Sequence, residues 1–75
     1  MELSEQAKRA IESEVASHEG KKLVRLLKFM RNDKPMLQMA FDDGTTKEVR
    51  TSTFEGRDYL FLKMKEKYWW NSNKS

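Results

Sequence analysis

Apolar residues recur every three or four positions near the two ends of this chain and closer to every second position in its middle. Leu3, Ala7, Ala10, Ile11, Val15 and His18 share one stripe of a 3.6-residue repeat, which predicts an amphipathic helix over residues ~5–19. Ser4 stands where an N-cap hydroxyl is needed, Glu5 suits the positive helix end, and Gly20 is placed to terminate it. Leu60, Phe61, Met64 and Tyr68 form a second stripe, extended N-terminally by Phe54 and Arg57. With Ser52 and Glu55 spaced as a capping box, they predict a helix over residues ~53–70.

Between these helices the pattern is that of strands. Leu37, Met39 and Phe41 alternate with Met36, Gln38 and Ala40, and Lys47, Val49 and Thr51 alternate with Thr46, Glu48 and Arg50. Asp42-Asp43-Gly44 separates the two runs as a hairpin turn, giving strands over residues ~36–41 and ~45–51. Residues 21–31 fit two descriptions. As a helix, Leu23, Leu26, Leu27 and Met30 align opposite Arg25 and Lys28. As a strand over ~22–31, both faces mix apolar and basic residues. The strand is preferred, because Lys21 and Lys22 would sit at the positive end of a helix dipole. The turn chemistry of Asn32-Asp33-Lys34-Pro35 also leads directly into the next strand.

The resulting fold class is α+β: one compact domain over residues 1–75, with an N-terminal helix, a three-stranded antiparallel meander, a C-terminal helix (α-β-β-β-α) and a frayed polar tail at 71–75. This element order is similar to that of the double-stranded RNA-binding domain. That family opens its last helix with a Gly- and Lys-rich phosphate clamp, whereas this chain has Ser52-Thr53-Phe54-Glu55-Gly56-Arg57. The likeness is one of element order alone and carries no function.

Composition narrows the function classes. The 75 residues include no cysteine, which excludes disulfides and thiolate metal sites. The lone histidine, His18, lies near the end of the first helix with no second ligand or catalytic partner at suitable spacing, so its expected role is structural. Asp42-Asp43-Gly44 lacks the alternating ligands of a calcium loop, and no glycine-rich phosphate loop occurs. No enzyme, metal or cofactor is expected. No apolar run reaches the ~20 residues a membrane span needs. The acidic start of the chain is unlike a secretory signal, so a cytoplasmic protein is expected.

Net charge is only +3, but its distribution is uneven. Residues 1–20 hold five glutamates against Lys8 and Arg9, whereas residues 21–34 hold Lys21, Lys22, Arg25, Lys28, Arg31 and Lys34 against Asp33 alone. A second basic stretch, with Lys63, Lys65 and Lys67, leads into Tyr68-Trp69-Trp70. On a continuing helix, adjacent tryptophans point ~100° apart, so one core cannot take both. Basic residues beside exposed aromatics suit protein anchoring or base stacking. The bland alternative is that the first helix's glutamates pair with these cations inside the fold.

These features predict a small non-enzymatic binding protein, a regulator or inhibitor of the compact kind that phages and mobile elements encode, with a protein partner favoured. Its binding residues are expected to be Lys22, Arg25, Lys28, Arg31, Lys63, Lys67, Trp69 and Trp70. One alternative is a nucleic-acid-binding protein that contacts phosphates through residues 21–34. Another is a homodimer joined at the Trp69/Trp70 end.

Overall fold

The computed structural model describes residues 2–70, so the tail expected at 71–75 lies outside the described residues. Its elements are α1 (Glu5–Ala16), β1 (Leu23–Arg31), β2 (Lys34–Phe41), β3 (Thr46–Arg50) and α2 (Phe54–Tyr68). The α-β-β-β-α architecture is the expected one, and residues 23–31 are strand, not helix. The sheet order is β1-β2-β3, antiparallel throughout.

Both helices cover one side of the sheet. Val15 of α1 and Leu60, Met64 and Tyr68 of α2 meet Leu23, Leu26, Leu37, Met39 and Phe41, with Ile11, Val49 and Phe61 packed at the margin. Leu23, Leu37, Met39 and Met64 are fully enclosed, each removing about 1.5–3 kcal/mol worth of apolar surface from water. The Tyr68 hydroxyl donates to the Val15 carbonyl at 2.6 Å and the Tyr59 hydroxyl to Glu12 at 2.8 Å, tying the helices together. Burial raises the Tyr68 phenol above its ordinary pKa.

Strict alternation would place Leu23 on the same face as Leu27 and Phe29, away from Leu26. The register is instead interrupted between Leu23 and Arg25: Leu23 lies opposite Phe41 and Arg25 opposite Ala40, leaving Val24 as an extra residue. This β-bulge resets the alternation, so Leu23 and Leu26 both enter the core.

Several boundaries differ from the sequence expectation for local reasons. Helix α1 stops at Ala16 with Ser17 as C-cap, and the stretch through Gly20 (φ +91°) is a further turn. The first hairpin needs only two turn residues, because Asn32 and Asp33 both take positive φ (51° and 63°), the conformation of a type I′ turn. Lys34 and Pro35 therefore begin β2. In the second hairpin Asp43 accepts hydrogen bonds from the Thr45 amide and hydroxyl, and Gly44 supplies φ +90°. The N-cap of α2 is Thr53, whose hydroxyl accepts from the Gly56 amide at 2.9 Å, not the Ser52–Glu55 box. Thr51 explains the one-residue shift. It is buried, and although β3 ends at Arg50, both the amide and the hydroxyl of Thr51 donate to the Pro35 carbonyl, so the chain stays tied to β2 through Thr51 and the cap falls on Thr53.

This arrangement makes the two sheet faces energetically unequal. Met39→Ala is expected to destabilise the fold by about 2–5 kcal/mol and Leu27→Ala by less than about 1 kcal/mol, measured as urea midpoints. Equal losses would contradict the assignment of core and open faces.

Candidate functional site

The bulge also decides what faces outward. Beyond it, Arg25, Leu27, Phe29 and Arg31 of β1 share the helix-free face, and the register sets out three cross-strand rows: Phe29–Met36–Arg50, Leu27–Gln38–Glu48 and Arg25–Ala40–Thr46. The pair Arg31–Lys34 closes the hairpin end. The uncovered face of an antiparallel sheet is ordinarily polar. Here Leu27 is 46% exposed and Phe29 half-buried, while Met36 is only 7% exposed although no helix covers it. Met36 forms part of the wall of a shallow depression shared with Arg31, Asn32, Lys34 and Arg50.

Charge on this face is strongly one-sided. Glu48 is the one acidic side chain in the rows. It accepts from Arg31 at 2.6 Å and from Gln38 at 3.2 Å, and chiefly the Arg31 hydrogen bond holds its carboxyl below the usual range. The Arg31 guanidinium also lies 5.1 Å from the Phe29 ring centroid. Arg25, Lys34 and Arg50 have no acidic partner within bridging distance among the described residues.

The expected binding residues do not form one surface. Lys28 points to the helix side, bonded to Asp58 at 3.0 Å and lying over Phe61. Lys63 and Lys67 lie against Tyr59 and Tyr68 and line a groove between the helices with Glu12 and Glu66. Trp69 and Trp70 follow the end of α2 instead of continuing it: Trp69 is the extended C-cap, and the Trp70 amide donates to the Leu23 carbonyl at 3.0 Å. Both indoles are half-exposed, at 42% and 43%. Lys22 lies 5.3 Å from the Trp70 ring centroid, which joins the start of the basic segment to the aromatic end. Arg25 and Arg31 thus belong to the open face, with Lys22 and Trp70 at the β1 edge. Leu27, Phe29, Lys34, Met36 and Arg50 were not among the expected binding residues. The alternation of residues 46–51 already groups Arg50 with Thr46 and Glu48, whereas placing Leu27 and Phe29 on the face opposite Leu23 required the bulge.

The glutamates of α1 do not neutralise the basic segment. Glu14 binds Lys47 at 2.7 Å and His18 at 2.9 Å, while Lys28 and Arg31 find Asp58 and Glu48. His18 is buried and stacked on Phe41 with ring centroids 5.0 Å apart, a packing role. Among the described residues no group of acidic or histidine side chains is arranged to hold a metal ion, and no helix is long and apolar enough to cross a membrane.

Burial acts to raise the Glu14 carboxyl, but hydrogen bonds from Lys47 and His18 outweigh it and hold the group below its ordinary value of 4.5. A depressed folded-state pKa stabilises the fold above the unfolded value, and that stabilisation is lost as pH falls through the folded one. The stability difference between wild type and Glu14→Gln is therefore expected to be full above about pH 5 and to close as pH falls further, read from urea midpoints. A difference independent of pH across that range would contradict the network.

Comparison with protein-family models, with curated proteins and with solved structures finds no match to this chain.

Proposed function

We propose that this chain is a small non-catalytic binding protein that engages an acidic protein partner through the helix-free face of its sheet, acting as a regulator or inhibitor by occupancy. The observation that carries this reading is the apolar strip Leu27–Phe29–Met36 set among Arg25, Arg31, Lys34 and Arg50. A protein interface has that anatomy: a desolvated apolar and aromatic centre with a polar, arginine-rich rim. The cations give long-range attraction for an acidic surface and set orientation, while the apolar centre supplies the short-range affinity.

Nucleic-acid binding through residues 21–34 has less support. A strand alternates its side chains, so the basic segment is divided between two faces. Lys28 is engaged by Asp58 and Arg31 by Glu48, which leaves no continuous row of cations to track a phosphate backbone. The modest net charge of +3 points the same way.

Two substitutions separate the surfaces. Leu27→Glu places a carboxylate at the centre of the proposed contact and is expected to weaken capture of the partner from a source-cell lysate by about 2 kcal/mol or more. Lys63→Glu, in the groove between the helices, is expected to leave capture unchanged. Retention of the same proteins by Leu27→Glu would contradict the proposal. So would salt-dependent binding of mixed-sequence DNA or RNA at micromolar protein.

A further inference from the structure

The two edges of the sheet are not alike. Strand β3 is five residues long and carries charges of both signs, Lys47, Glu48 and Arg50, which discourage pairing with another chain. Strand β1 is nine residues long and contains Arg25, Lys28 and Arg31 but no acidic residue. Of the large apolar side chains exposed among the described residues, Val24, Leu27, Met30, Trp69 and Trp70 all lie on or beside it.

The hydrogen-bond parity of the sheet fixes which main-chain groups point out from this edge. The Thr51 amide donates to the Pro35 carbonyl and the Phe41 amide to the Thr45 carbonyl, so Pro35 and Phe41 turn their polar groups toward β3. Main-chain direction alternates along a strand, so Met36, Gln38 and Ala40 turn theirs toward β1, where they lie opposite Phe29, Leu27 and Arg25. Leu26, Lys28 and Met30 therefore direct their amides and carbonyls away from β2. No backbone partner outside the sheet meets those groups among the described residues. The edge already accepts an extended segment at its start: Trp69 pairs in parallel with Leu23, and the Trp70 amide reaches the Leu23 carbonyl.

We infer that the outer edge of β1 takes an acidic extended segment of a protein partner as an added strand, bonded to the main chain of Leu26, Lys28 and Met30. Charge selects the occupant. Opposite charges across paired strands stabilise and like charges destabilise. A second copy of β1 would set Arg25, Lys28 and Arg31 against themselves, and residues 71–75 bring a lysine and no acidic side chain. An acidic strand meets Arg25, which has no acidic partner among the described residues, and adds no like charge to Lys28 and Arg31, already paired with Asp58 and Glu48. Main-chain bonds then give affinity, and alternate side chains give specificity. This inference rests on the protein-binding reading and adds to the open-face side chains the main-chain groups of the β1 edge.

The probe is a peptide alternating glutamate and valine, about seven residues long, with a lysine-for-glutamate version and two analogues N-methylated on alternate amides in the two registers. The acidic peptide is expected to bind by fluorescence anisotropy and to slow amide exchange of Leu26, Lys28 and Met30 in the full chain by about tenfold or more. One N-methyl analogue should lose about tenfold or more in affinity while the other binds as the parent does, since only one edge of the peptide is used. The lysine peptide should not compete. Equal binding by both analogues, no binding at millimolar peptide, or amides at those three positions already protected in the unliganded chain would each overturn strand addition. Loss of partner capture in Leu27→Glu alongside any of those results would leave the open-face reading standing, which separates the two failures.

Discussion

One extra residue in the first strand governs the rest of this molecule. Leu23 and Leu26 are three positions apart, and an unbroken strand would send them to opposite faces. The bulge at Val24 lets both enter the core, opposite Phe41 and Met39. It thereby commits Arg25, Leu27, Phe29 and Arg31 to the face that no helix covers. The core and the proposed contact surface are two outcomes of the same local irregularity, which fits the frequent placement of bulges at sheet edges and beside functional sites.

The remaining packing reinforces this division. With α1 and α2 on one side, the chain has a single thin core, as its length demands. Lys28 and Lys47 face that side too, and each is matched by a helix carboxylate, Asp58 or Glu14. These two sheet cations are thus paired within the fold, while Arg25, Lys34 and Arg50 on the open side are not among the described ion pairs. The open face therefore carries cations without acidic partners beside exposed apolar groups. In the proposed complex, electrostatic attraction and apolar burial would then act on the same partner surface.

Much of the architecture was legible in the sequence because periodicity reports it directly: the stripes of α1 and α2 and the alternation in β2 and β3 all correspond to observed elements. What was not legible depended on tertiary contacts. The cap of α2 moved from Ser52 to Thr53 because Thr51 is held on the Pro35 carbonyl. The helix stops before the tryptophans, with Trp70 bonded to the edge of β1, and composition alone carries no signal for that. Ion-pair partners also followed from register, so Arg31 meets Glu48 and not a glutamate of α1. Of the expected binding residues, Arg25 and Arg31 part from Lys28 because a strand alternates its side chains, while the bulge shows in hydrophobic periodicity only as an apparent mixture of apolar and basic residues.

Deletion of Val24 tests the organising role of the bulge most directly. In a bulged strand the deletion restores regular alternation, with Leu23 and Leu26 two positions apart and on the same face. The variant should then fold with a stability loss of no more than about 1–2 kcal/mol in urea, and Leu27 and Phe29 should remain outward. If residues 23–26 instead formed an unbroken strand, the same deletion would shift the alternation by one residue and turn a buried leucine into solvent. A loss of about 2–5 kcal/mol or outright unfolding would contradict the bulge as the element that separates core from open face.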